Sequence, residues 1–139
     1  MNEKIVEIAR GWLGTRFHHQ GRKKGVGVDC IGLIVGVASE LGIKVADRQN
    51  YGKEPFNNEL ETALVQHCQP CELGQGVIAL FRISQEPQHV GIISDYAGGF
   101  GLIHAYAQSR KVVEHGLDDW WQKRLVGCFS FSNASQLQC

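Results

Sequence analysis

The sequence predicts an α+β domain in which N-terminal helices pack on an antiparallel sheet of about five strands. Two observations carry this expectation. Apolar residues recur at helical spacing through residues 5–13, 30–41 and 58–67. Beyond residue 76 the pattern changes to short β-prone runs separated by glycine-rich turns. Helices first and strands after is the order of an α+β chain rather than of alternating βαβ units. With 139 residues, 43% hydrophobic and 20% charged, the chain has the size and composition of one ordinary soluble domain. The domain is expected over 1–131, with 132–139 a polar tail.

Ile5, Ile8, Ala9, Trp12 and Leu13 form the stripe of a first amphipathic helix, with Asn2 as cap and Gly14 as stop. From Thr15 to Val28 the chain is polar and glycine-bearing, which reads as a long loop, and a loop of that length is usually functional or disordered. Asp29 caps a second helix from Cys30 to about Leu41, stopped by Gly42. Ile31, Ile34, Val35, Ala38 and Leu41 line one face and Leu33 and Val37 another, so the helix is expected to be central and buried. Gly32 and Gly36 cost this helix roughly 1 kcal/mol each against alanine, and close packing is expected to offset that. Residues 43–57 read as irregular, and Asn58 with Glu61 forms a capping box ahead of a third helix. The strands are expected at Val77–Ile83, Val90–Ser94, Leu102–Tyr106, Val112–Glu114 and Val126–Phe131, with a short helix around Asp118–Lys123.

Lys plus Arg and Asp plus Glu both number 14, which leaves no net charge to attract nucleic acid. The only short basic cluster, Arg22-Lys23-Lys24, reads as a solvated loop. No apolar run approaches the roughly 18 residues of a membrane span, and the start of the chain does not read as a signal peptide. Synthesis in the cytoplasm without stable membrane insertion is therefore expected. Five cysteines is an odd number, so at least one is free.

Cys30 follows the glycine-bearing loop and opens the second helix directly after its cap. A helix start offers unpaired backbone N–H groups and a positive dipole end, both of which stabilise a thiolate. The same N–H groups can receive the oxyanion of a tetrahedral intermediate. Taken alone, Cys30 reads more readily as a buried structural cysteine. His89 shifts that balance: it stands where a loop enters the strand His89-Val90-Gly91-Ile92-Ile93. His104 lies inside the next strand, and a hairpin would bring the two imidazoles side by side. His104 would then fix the tautomer of His89, the orienting part of a third triad member. The other reading leaves His104 a satisfied core histidine and His89 at the surface.

Gly14-Thr15-Arg16-Phe17, Val28-Asp29-Cys30-Ile31-Gly32-Leu33, His89-Val90-Gly91-Ile92 and Ile103-His104-Ala105 follow one another in order. Together with residues 119–125 and Phe129–Phe131, they resemble the motifs of NlpC-type cell-wall peptidases, bacterial relatives of papain. The resemblance is nearest to the phage and prophage tail-associated branch and covers roughly residues 5–131. It implies a papain-like α+β fold and hydrolysis of peptide bonds in murein stems, commonly at γ-D-glutamyl linkages. It implies Cys30 as nucleophile, His89 as base and later acid, and His104 as orienter, with no metal and no cofactor. Phe17, His18, His19 and Asp29 are the implied substrate-side residues, peptidoglycan stem peptides the substrate, and phage tail proteins the implied partners. Carriage in a virion tail, or release by lysis, would bring such a chain to the wall.

Three departures from the family pattern stand out. Phe17 occupies a position where many members carry tyrosine, Ile31 stands where serine commonly follows the cysteine, and no tryptophan lies near His18 or His19. Phe17 and Ile31 support the alternative of a weakly active structural tail-assembly protein. An amidase or acyltransferase acting on a substrate other than murein is the remaining enzymatic alternative. Cys68-Gln69-Pro70-Cys71 invites a redox or zinc reading, but it follows a helix end rather than opening a helix. His18, His19 and His115 read as polar loop positions, any of which could replace His104 as orienter or touch substrate. Trp120 and Trp121 read as core and rim packing before they read as a sugar platform.

Overall fold

A computed structural model describes residues 2–43, 68–83 and 87–131. The helix expected over 58–67, nearly all of the stretch read as irregular before it, and the tail 132–139 lie outside the described residues. Helix α1 (Asn2–Arg10) leads into turns, and a small ribbon of β1 (Arg22–Lys23) and β2 (Gly27–Val28) precedes helix α2 (Cys30–Glu40). Then come β3 (Gln69–Cys71), β4 (Ile78–Arg82), β5 (Pro87–Tyr96), β6 (Gly99–Tyr106) and β7 (Lys111–Gly116). Helix α3 (Asp119–Gln122) and strand β8 (Leu125–Ser130) follow. The main sheet has six strands in the order β3-β8-β4-β5-β6-β7, and every paired neighbour is antiparallel.

The α+β expectation holds, with six strands in place of about five. The additional strand is β3, which carries the Gln-Pro-Cys part of the Cys-Gln-Pro-Cys segment and pairs along the edge with β8. Its proline and exposed polar residues hide it from an alternation pattern, and an edge strand tolerates both.

One face of the sheet presents Ile78, Leu80, Val90, Ile92, Ile103 and Ala105 to α1 and α2. The other face presents Ala79, Phe81, Ile93 and Leu102 to Leu117 and Trp121, where α3 packs. The α1 stripe ends earlier than its spacing suggests. Trp12 N–H bonds Ala9 and Leu13 N–H bonds Arg10, so the chain tightens toward three residues per turn after Arg10. Trp12 stays buried while Leu13 rotates into solvent.

In α2 the buried residues are Gly32, Leu33, Ile34, Val37 and Ala38, whereas Ile31, Val35 and Leu41 are only half-buried. The core-facing stripe is thus turned from the one first read. Its glycines admit close neighbours. A methyl group on Gly36 would lie 2.2 Å from the Trp12 ring, and one on Gly32 would lie 2.1 Å from the Gly21 carbonyl oxygen.

The expected loop 15–28 is tied down. Thr15 Oγ1 accepts from Gly25 N–H at 3.0 Å, and bridges join Arg16 to Lys111 and Phe17 to Val28. Arg22 is not solvated as expected: its guanidinium donates to Asp29 at 3.1 Å and to the Gly21 carbonyl at 2.9 Å. Lys24 pairs with Glu40 at 3.2 Å.

Candidate active site

Cys30 is the first residue of α2, and its cap follows the expected chemistry. The Asp29 side chain accepts the Gly32 N–H at 2.8 Å. The same carboxylate accepts the Gln20 N–H at 2.8 Å and the Arg22 guanidinium, so it braces loop to helix while only 4% exposed. Cys30 is half-buried. Its sulfur lies among the backbone N–H groups of Val90, Ile31 and Cys30 itself. Burial, and then the neighbouring Asp29 charge, push the thiol up to about 12, against the opposing pull of those three donors. The thiol is therefore protonated at neutral pH.

Val90 follows His89 directly, so the strand beside the sulfur also carries the first histidine. His89 Nε2 lies 2.7 Å from His104 Nδ1. His104, fully buried on β6, places its Nε2 2.8 Å from His115 Nε2. His115 Nδ1 lies 2.9 Å from the Gly116 carbonyl oxygen and donates to it. Burial lowers His89 to about 4. Burial, with the neighbouring His89 and His115, lowers His104 to about 2. Both rings are neutral at pH 7.

Trp121 from α3 seats the row: its ring centroid lies 5.6, 4.9 and 5.9 Å from those of His89, His104 and His115. Tyr106 stacks on His104 at 5.0 Å. Gly91 makes room for the pairing, since a methyl there would sit 2.9 Å from the His104 Cβ.

The structure thus brings the hairpin histidines together as the sequence suggested, and it sets Cys30 against the strand residue next to His89. His115 departs from expectation. It is half-buried on β7, registered opposite Leu102, and extends the histidine row rather than replacing a member of it. Reading the strand as ending at Glu114 hid this; one more residue of alternation puts Val113 and His115 on the same face. Tyr106 and Trp121 were also missed as site residues, although His104 and Tyr106 stand at strand spacing.

Phe17, half-buried, packs on the same core cluster as Cys30 and Ile31. His18 is exposed, with its N–H on the Val28 carbonyl at 2.9 Å, and His19 is half-buried. Trp120 is exposed and lies under the Arg124 guanidinium at 3.6 Å, which is rim packing. Cys71 and Cys128 face each other across β3 and β8 as free thiols. Among the described residues no cluster of metal-ligating side chains is found, and no helix is long and apolar enough to cross a membrane.

A cysteine opening a helix that lies on an antiparallel sheet, with histidines on adjoining strands, is the papain-like α+β arrangement. The model of the NlpC/P60 family matches residues 14–130, and the chain belongs to that family. No curated protein matches it.

Solved structures share the fold. An NLP/P60-family protein of Staphylococcus aureus, described as similar to a lipoprotein, superposes with a TM-score of 0.67 at 19% identity, over 94% of this chain and 41% of that one. NlpC1 of Trichomonas vaginalis gives 0.69 at 17% identity, over 94% and 44%. The NlpC/p60 domain of the peptidoglycan hydrolase SagA gives 0.63 at 17%, over 94% and 98%. The chain spans about two fifths of the length of the first two proteins.

Proposed function

We propose that the chain is a cysteine endopeptidase that cuts peptide bonds in murein stems, with Cys30 as nucleophile, His89 as base and His104 as orienter. The observation that carries this is the placement of the groups: Cys30 opens α2 near the backbone of Val90, the residue after His89, and His89 Nε2 lies 2.7 Å from His104 Nδ1. That contact leaves Nδ1 as the ring nitrogen of His89 available to a thiol. Family membership and the description of SagA as a peptidoglycan hydrolase support the substrate class.

The resting pair is a neutral thiol and a neutral imidazole. As Cys30 Sγ attacks the scissile carbonyl, its proton passes to His89 Nδ1, and the backbone N–H groups around the sulfur receive the oxyanion. His89 then gives that proton to the leaving amine, and a thioester remains on Cys30. Water, losing a proton to the same nitrogen, cleaves the thioester and restores the thiol. Phe17, His18 and His19 run beside Val28 and form the substrate wall, with Asp29 bracing it. The γ-D-glutamyl bond is the proposed point of cleavage, and a phage tail the proposed carrier to the wall. Abundance of the protein in the periplasm of intact, uninfected cells would contradict that carriage.

Digestion of purified murein by wild type and Cys30→Ala, read by mass spectrometry, tests the reading. Stem-peptide cleavage that disappears in the variant supports it, and the fragment masses name the bond. One observation favours a weaker enzyme: Phe17 brings no hydroxyl to the wall. A folded wild type that leaves murein intact, with a Cys30 inert to substrate-like electrophiles, would move the assignment to a structural tail protein.

A further inference from the structure

We infer that His115, anchored on the Gly116 carbonyl, is a positioning residue that fixes the direction of every proton along the histidine row and so leaves His89 Nδ1 unprotonated. The catalytic meaning of this rests on the peptidase reading; the proton arrangement does not.

The argument runs from one end of the row to the other. A carbonyl oxygen only accepts, so His115 Nδ1, 2.9 Å from it, carries the hydrogen. A neutral imidazole has a single N–H, so His115 Nε2 presents a lone pair. His104 Nε2, 2.8 Å away, must then be the donor, and its Nδ1 keeps a lone pair. His89 Nε2, 2.7 Å from that lone pair, must in turn donate. His89 Nδ1 is left as the acceptor.

The interior offers no escape. His104 is fully buried, its side-chain hydrogen bonds among the described residues go only to the flanking imidazoles, and Tyr106 and Trp121 cover its ring. His115 is half-buried, and among the described residues no carboxylate pairs with it; its ring meets the His104 imidazole, the Trp121 ring and the Gly116 carbonyl. The arrangement also suits the proton that arrives during catalysis. A His89 protonated at Nδ1 still donates from Nε2 to the His104 lone pair. A row running the other way would put the His104 N–H against His89 Nε2, and His89 could accept no proton from Cys30.

The test is a long-range 1H–15N side-chain spectrum of the 15N-labelled full chain, recorded in mildly alkaline buffer. His89 and His104 are expected to show pyrrole-type Nε2 and pyridine-type Nδ1, and His115 the reverse. A pyrrole-type Nδ1 on His89 overturns the inference with no variant needed.

Two variants separate direction from packing. His115→Glu offers His104 only acceptors and is expected to keep kcat within about tenfold. His115→Lys offers only donors, reverses the row, and is expected to lower kcat by about a hundredfold or more at unchanged KM, as a wrong tautomer does. Equal kcat in the two folded variants, or a wild-type His89 pattern in the lysine variant, would also overturn it. If the wild-type spectrum fits and murein stays intact, the row stands and the peptidase reading fails.

Discussion

Acidification from about pH 8 to about pH 5 is expected to remove roughly 4 kcal/mol of folding stability, a large part of the 5–15 kcal/mol typical of a domain. His89 is lowered to about 4 and His104 to about 2, while the same side chains in an unfolded chain titrate near 6.5. Both shifts favour the neutral ring in the fold, so below that ordinary value the unfolded state binds more protons. The stability these rings contribute is complete above about pH 6.5 and is lost as the pH falls toward the folded values. At about pH 5, linkage gives about 2 kcal/mol for each ring, and both are too buried for solvent to screen the effect.

Urea titrations at about pH 8, 6.5 and 5, at constant ionic strength, would measure it, with fluorescence of Trp121 beside the imidazoles as the probe. His104→Gln is expected to show about half the slope. A stability that changes by less than about 1 kcal/mol over that range would refute the reasoning, because the rings would then be wet or already charged.

Four further outcomes are expected. Gly36→Ala improves helix propensity by about 1 kcal/mol, yet it is expected to destabilise the fold by about 1–3 kcal/mol, because the new methyl collides with the buried Trp12 ring; a higher Tm would refute this. Gly91→Ala drives a methyl to 2.9 Å from both the His104 Cβ and the Ile103 carbonyl, so it should separate the imidazoles and abolish murein cleavage; retained cleavage with an unchanged imidazole spectrum would contradict it. Arg10→Ala removes the 2.8 Å ion pair with Glu114, and because Arg10 is partly exposed the loss should be about 1 kcal/mol and smaller in high salt, as paired denaturation curves would show. In a timed alkylation read by mass spectrometry, exposed Cys71 should react before Cys68 and Cys128. Cys68 and Cys128, buried and pushed up to about 11, should lag, and equal rates at Cys71 and Cys128 would contradict the burial.

Helix α2 and its cap were legible because Asp29, Cys30 and Gly42 carry local signals of a start and a stop. The hairpin was legible because β5 and β6 hold apolar runs joined at the short Ala97-Gly98 turn. Its consequence, the diagonal contact of His89 with His104, follows from their sharing one face of that hairpin across the space left by Gly91. Long-range packing was less visible. The stripe of α2 cannot be assigned from periodicity when most of its sides are apolar, since only the partners decide which side is covered. Strand β3 escaped notice because a proline-bearing edge strand obeys its neighbour β8 rather than an alternation of its own. His115 escaped because a histidine after a glutamate looks solvated, until β7 is laid against β6. The tying of Arg22 to Asp29 lies beyond any local pattern as well.

The tip of the β5–β6 hairpin bears on how this family can diverge. Ala97 and Gly98 have φ of 50° and 83°, the paired positive angles of the tightest hairpin turn, and Tyr96 faces Gly99 directly behind them. An exposed tip of small residues ordinarily welcomes insertions. Here it acts as the zero mark of a ruler whose far end holds the histidines. One added residue that shifts the pairing would send alternate side chains to the opposite face and carry His104 away from Trp121. Length variation is therefore expected to collect elsewhere, and this two-residue tip to remain fixed in any homologue that keeps the row. A fusion tag or reporter placed there would disable the site from the other end of the sheet.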